Sequence, residues 1–246
     1  MEYRAIGKEE FEELQGRILY EDNHILAVDK RPGDIVQGDK TGDECLCETY
    51  KAFIAQRDGK PGRVFLGIPH RLDRPVGGIT LLAKTSKGLE RISESFREGK
   101  VHKTYYALCV APPPEKEALL EDWLLRREDL NKSFVVHEPS AGRSRRGEAK
   151  LAKLIYTYVG ATERYHLLKV QLLTGRHHQI RCQLSNIGCI IKGDLKYGAP
   201  RSNPDGSICL HAAEITFPHP VSKEAITLRS PLPRSWKGVE GLIPKS

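Results

Sequence analysis

The absences in this sequence narrow its reading first. It contains no apolar run near the twenty residues that a membrane-spanning helix needs. Its first residues, MEYRAIGKEEFEE, are charged where a secretion signal would be apolar. Together these predict a cytoplasmic address and no membrane partner. The six cysteines (45, 47, 109, 182, 189 and 209) include no C-x-x-C pair, so neither a zinc site nor a disulfide framework is indicated. Buried free thiols in a reducing compartment are expected instead. Internal repeats and low-complexity linkers are missing too. The adjacent His177 and His178 come with no H-x-x-x-H spacing, and neighbouring side chains on a helix point in different directions, so no metal is expected there.

What is present describes an ordinary soluble chain. Its 246 residues allow one large domain or two small ones. Hydrophobic residues make up 39% and charged residues 29%, typical of a globular protein. The formal net charge of +7 fits a polyanionic partner, but charge bears on association and not on fold.

The pattern of apolar residues alternates between short strands and helices. Residues 8–15 suggest a short helix, and the runs at 17–20 and 24–28, on either side of Glu21-Asp22-Asn23, read as a hairpin at a sheet edge. Leu46, Tyr50, Phe53 and Ile54 fall at helical spacing within 44–57. Leu89, Ile92 and Phe96 do the same within 86–98, with Thr85 or Ser86 as N-cap and Gly99 as stop. Strands are expected at 101–110, around 123–125 and 134–136, at 150–159 and 164–173, and near 208–217 and 225–229. Val159-Gly160-Ala161-Thr162 is read as the turn between the strands at 150–159 and 164–173. Ile180, Leu184 and Ile187 predict a helix from 177 to Gly188, which places Thr174-Gly175 at a strand-to-helix junction suited to anions.

The densest stretch is 70–85, HRLDRPVGGITLLAKT. Ile79 to Ala83 reads as a buried strand, so Asp73 sits on the turn that enters it, with Arg71 and Arg74 beside it. A carboxylate in that position is either a structural ion-pair member or a working nucleophile or base. A second basic stretch, 140–147, is rich in Gly and Ser and carries Arg143, Arg145 and Arg146 with no acid; it reads as an exposed loop able to contact phosphates.

The stretch His70-Arg71-Leu72-Asp73 resembles the catalytic motif of the RluA-type pseudouridine synthases. The chain departs from that motif at Gly77, where a hydroxyl residue is more usual. Lys103-x-Tyr105-x-Ala107 is similar to a second family motif, and Thr174-Gly175-Arg176 with His178-Gln179-Ile180-Arg181 is similar to a third. Lys30-Arg31-Pro32-Gly33, Gly193 to Gly198 and Leu210-His211-Ala212 are also family-like; the last two are assigned to the pocket wall. The resemblance spans about residues 17–230. It implies an α+β fold with a mixed, largely antiparallel sheet, flanking helices and a basic cleft, in a catalytic domain over 17–246 behind a short extension, 1–16.

The resemblance also implies an RNA pseudouridine synthase, an isomerase acting on ribosomal or transfer RNA, expected to work as a monomer with neither cofactor nor metal. In it Asp73 is the essential carboxylate. Arg181 is its ion-pair partner, and opposite charge lowers a carboxylate pKa by about 1–3 units. Tyr105 stacks on the flipped base and serves as general base. Arg71 fills the space the base leaves, while His70, Leu72, Arg176 and Ile180 contact substrate. Two rival readings stand beside it: a non-catalytic RNA-binding or ribosome-assembly protein on the same fold, and a metal-dependent hydrolase built on His70, Asp73, His177 and Asp194.

Overall fold

The structure is a computed structural model, described here for residues 3–38, 42–59, 62–137 and 148–243. The chain divides into two units, Met1–Val101 with Ala212–Pro231, and His102–His211 with Leu232–Ser246.

The first unit begins with α1 (Lys8–Gly16), β1 (Ile18–Glu21) and β2 (Ile25–Lys30), followed by α2 (Leu46–Arg57), β3 (Gly77–Ala83) and α3 (Ser86–Arg97). β1 and β2 form the antiparallel hairpin expected from the sequence, and β2 pairs antiparallel with β3, Ala27 opposite Leu81. Every residue of β3 is buried. The reason is that both faces of this sheet are covered. Leu26, Val28 and Leu82 pack on one side with Leu46, Tyr50, Phe53 and Ile54 of α2. Their neighbours Ile25, Ala27, Ile79 and Leu81 pack on the other side with Ile92 of α3. Strands covered on both faces read as continuous apolar runs, which is how β2 and β3 appear in the sequence. The Thr85 hydroxyl caps α3 by accepting the Gly88 N–H. Residues ahead of 17 join this core through Ile6 and Leu14.

The second unit holds β4 (His102–Cys109), β5 (Glu117–Arg127), β6 (Lys132–Val136), β7 (Ala149–Ala161), β8 (His166–Leu172) and α4 (Gln179–Asn186), with a 3₁₀ turn at Leu195–Tyr197. Its strands run in the order β4-β8-β7-β5-β6, with antiparallel pairing at β4–β8, β7–β8, β5–β7 and β5–β6. The chain then returns to the first unit with β9 (Leu210–Pro218), next to β3, and β10 (Ala225–Arg229), antiparallel to β9. The α+β class with a largely antiparallel sheet is thus what the structure shows. All six cysteines are buried free thiols. Among the described residues no helix is long and apolar enough to cross a membrane.

Three local expectations are corrected. β5 is an eleven-residue strand, not a short one around 123–125; the acids at 117, 121 and 122 lie on it and hide its alternation. Val159 to Thr162 is not the turn, because β7 continues through Ala161 with a bulge between Tyr158 and Gly160. The reversal lies at Thr162–Tyr165, where the Thr162 N–H donates to the Tyr165 carbonyl at 2.8 Å. Gly160 lies at this bulge, where a Cβ would sit 2.9 Å from Leu242 Cδ2, the end of a flexible side chain that can shift. Finally, α4 starts at Gln179, and His178 is a left-handed N-cap with φ 52°.

Candidate active site

The first unit fixes Asp73 by fixing the main chain around it. The Asp73 carbonyl accepts the Val76 N–H at 3.0 Å, closing the turn that leads into β3. Lys30, at the end of β2, is only 1% exposed. Its ammonium donates to the carbonyls of Val76 at 2.6 Å, Arg31 at 3.1 Å and Arg74 at 3.1 Å. Burial pushes the Lys30 ammonium down to about 8, against the pull of Asp34 and Asp73. The Gly33 N–H binds the Arg74 carbonyl as well, at 2.8 Å. His70 secures the other end: its Nε2 accepts the Leu81 N–H at 2.9 Å, and its ring lies 4.8 Å from that of Phe96 on α3. Accepting at Nε2 makes that nitrogen the unprotonated one, so this imidazole is held neutral in the Nδ1–H tautomer. His70 therefore ties the motif loop to β3, whatever else it touches.

Leu72 is buried, Asp73 half-buried and Arg71 exposed, with only a long 3.5 Å contact from Arg71 Nη1 to Gln37 Oε1. Arg74 is exposed and pairs with Asp43 at 2.8 Å. The glycine that geometry demands is Gly78, with φ 111° and the Ala212 carbonyl oxygen 2.3 Å from where its Cβ would be.

The second unit fixes side chains by means of other side chains. Tyr105 lies in β4, buried, opposite Val170 of β8. Two residues earlier, burial lowers the Lys103 ammonium to about 8. Arg181 of α4 and Asp194, just before the 3₁₀ turn, are 5% and 1% exposed and meet as a fork: Nε to Oδ2 at 2.7 Å and Nη2 to Oδ1 at 2.8 Å. The Arg181 guanidinium lies 5.2 Å from the Tyr197 ring centre, and Lys132 Nζ lies 4.8 Å from the same ring. The Tyr197 hydroxyl is in turn pinned by the Ser133 N–H at 2.9 Å and by His178 Nδ1 at 3.1 Å. His178 is held at about 2 by burial, helped by the positive Arg181 nearby, so its imidazole stays neutral.

Two readings of this segment change. His177 and His178 do not diverge on a helix; they precede it, and their rings stack at 3.8 Å. The anion site expected at Thr174-Gly175 loses a donor, because the Arg176 N–H is spent on Gln179 Oε1 at 2.9 Å, where the Thr174 hydroxyl also donates. Arg176 itself is exposed, with its Nε donating to the Leu151 carbonyl at 3.0 Å. Ile180 is buried.

Lys30, Lys103 and Tyr197 appeared in the sequence only as members of family-like stretches with no role of their own, and Asp194 only as a turn residue and as a ligand in the rival metal-hydrolase reading. Lys30 did carry a signal, as a cation closing an otherwise apolar strand. As for a metal hydrolase, both Asp194 oxygens are engaged by Arg181 and both His177 nitrogens by Ser133 and Asn131. Arg143, Arg145 and Arg146 lie outside the described residues.

Comparison with known proteins agrees with the residues. The family model for RNA pseudouridylate synthase matches residues 24–186, and the chain belongs to that family of RNA-acting isomerases. It is 29% identical to a mitochondrial pseudouridylate synthase, RPUSD4, of Xenopus tropicalis, over 92% of this chain and 79% of that one. Ribosomal large subunit pseudouridine synthase C of Vibrio vulnificus is 32% identical, over 89% and 67%. tRNA pseudouridine synthase C of Vibrio parahaemolyticus is 30% identical, over 89% and 92%. Among solved structures, human RNA pseudouridylate synthase domain containing 4 matches with TM-score 0.74 at 25% identity, covering 92% of each chain.

Proposed function

We propose that this chain converts a specific uridine of ribosomal or transfer RNA to pseudouridine in the cytoplasm, as a monomer, with Asp73 as the acting carboxylate. The isomerisation breaks the C1′–N1 bond, turns the uracil and joins C5 to C1′; it changes no oxidation state and hydrolyses nothing. Asp73 either attacks C1′ or removes the 2′ proton. The observation that carries this reading is the clamp on its turn. A buried ammonium holding three carbonyls and an imidazole holding a strand amide are a large investment in the position of one loop. Such rigid placement of a reacting group is what catalysis requires.

In this reading Arg181 holds Asp73 charged, and the fork with Asp194 and the Tyr197 ring support the orientation of its guanidinium. Tyr105 stacks on the extracted uracil and takes the last proton. Arg71 enters the space the base leaves, at a cost of a few kcal/mol for unstacking. His70 and Leu72 shape the site from the motif loop, and Ile180 with Arg176 from the α4 side. Arg143, Arg145 and Arg146 contact phosphates. The names of the relatives support both RNA classes as substrates.

The test is tritium release from RNA labelled at C5 of uridine, using tRNA and rRNA transcripts. Wild type should release tritium in the presence of EDTA, and Asp73→Asn should lower the rate by at least about 10³-fold, the scale of losing an essential nucleophile or base. Full activity in Asp73→Asn on every RNA tested would overturn the mechanism.

A further inference from the structure

The second unit carries a groove of about 860 Å³ whose lining includes Arg126, Lys150, Gly175, Arg176 and His177. Its size is at the upper end of what small-molecule sites use, and ample for one nucleotide. From it the geometry points to a subsite for a single nucleotide of the RNA substrate, with His177 as the surface on which its base stacks. This rests on the RNA-modifying reading above.

The argument starts from how His177 is held. Its Nδ1 lies 3.0 Å from Ser133 Oγ and its Nε2 3.2 Å from Asn131 Oδ1, so both edges of the ring are fixed. The Ser133 hydroxyl also donates to the His177 carbonyl at 2.7 Å, locking backbone and side chain together. Behind the ring lies His178, stacked at 3.8 Å with 20° between planes. His178 is neutral and is itself pinned to Tyr197. A ring fixed at both nitrogens and backed by a second ring has already lost the rotamer freedom that binding would cost it. Flat, immobile aromatic surfaces of this kind, histidine included, are what unstacked RNA bases settle on.

The charges choose the ligand. Arg126 and Arg176 are exposed on the groove, with the Arg176 Nε tied to the Leu151 carbonyl. Guanidinium groups so placed suit the phosphates on either side of one nucleotide. Yet Glu128, Asp129 and Glu148 line the same groove, and Asp129 pairs with Arg127 at 2.5 Å. Such mixed charge does not make a general trap for polyanions. It favours one nucleotide held by stacking, with the carboxylates able to accept from exocyclic amino groups.

The experiment uses the full chain and RNA hexanucleotides carrying one 2-aminopurine, whose fluorescence is quenched by stacking. Wild type should quench the probe on binding. His177→Ala should abolish the quench and weaken binding about tenfold or more, the scale of one base–aromatic stack. His177→Phe, which keeps the ring, should restore most of it and shows that the effect is not misfolding. On a modified RNA, the loss in His177→Ala should fall on KM more than on kcat. An unchanged quench in His177→Ala, or no quench in wild type, overturns the subsite. A quench lost in His177→Ala from a wild-type protein that forms no pseudouridine would leave the subsite standing and defeat the functional reading instead.

Discussion

The two units hold their key groups by opposite means. Around Asp73 the ties run to the backbone: three carbonyls on Lys30 and one amide on His70. Around Arg181 they run between side chains: a carboxylate fork, two cations against one ring and a hydroxyl shared with an imidazole. The difference follows from reach. Asp73 has a short side chain, so fixing its peptide nearly fixes its carboxyl. Arg181 has four rotatable bonds, and only contacts at the guanidinium itself can orient it. A short side chain is placed through its loop and a long one through its tip.

The largest effect expected from breaking one side of this comparison is at Asp194. Asp194→Ala removes the carboxylate that accepts two N–H groups of a 5% exposed guanidinium. Breaking a buried pair in this way costs about 3–5 kcal/mol. Urea unfolding should show that loss, and tritium release should fall with it. Asp194→Glu should recover stability only in part, because the longer arm cannot keep both bonds in line. If Asp194→Ala matched wild type in midpoint and rate, tip-to-tip placement would not be how Arg181 is held.

A smaller effect is expected at Lys30, although it makes more bonds. Its burial already works against it, as the fall of its ammonium to about 8 shows, and Lys30→Met relieves that cost while filling the same volume. What remains is the loss of hydrogen bonds from a charged group, offset by that relief, for a net of about 1–3 kcal/mol. The sharper readout is local: exchange at the Gly33 and Val76 amides, whose partners are the Arg74 and Asp73 carbonyls, should speed up before exchange in α2 does. Activity should drop more than the stability loss accounts for, since the loop and not the core has loosened. Uniform acceleration of exchange across the first unit would mean that Lys30 supports the core and not the turn.

The contrast also explains what could be read in advance. While the motif loop and the sheet class were implied by the family resemblance, the all-buried β3 and the capped α3 were legible because each rests on neighbours in sequence, an apolar run and a Thr before a helix. The side-chain network was not. Arg181 and Asp194 lie thirteen residues apart across a turn, and Tyr197 reaches back 64 residues to Ser133, so no local pattern announces either. The stacked histidines were misread for a related reason. A helical period was extended two residues too far, when Gln179 had folded back to take the Arg176 amide and forced His178 into a left-handed cap. Gly160 misled because a glycine at a strand bulge looks, in one dimension, like one that makes a turn.

The last effect, confined to the second unit and absent at neutral pH, concerns acid. His178 ordinarily titrates near 6.5 but is held at about 2 in the folded chain, first by burial and then by Arg181. Below pH 6.5 the unfolded chain therefore binds a proton that the folded chain refuses. Stability contributed by the neutral ring is complete above pH 6.5 and is lost progressively as pH falls from there toward 2. His178→Asn keeps a polar group near the Tyr197 hydroxyl but does not titrate, so its unfolding free energy should fall less steeply between pH 6 and 4. Lys30→Met, measured alongside, should keep the wild-type slope over the same range, because a lysine whose ammonium titrates near 8 when folded and near 10.5 when unfolded is fully protonated in both states there. Equal slopes for wild type and His178→Asn would show that the imidazole gains its proton without unfolding, and that the side-chain network is looser than the backbone clamp it is compared with.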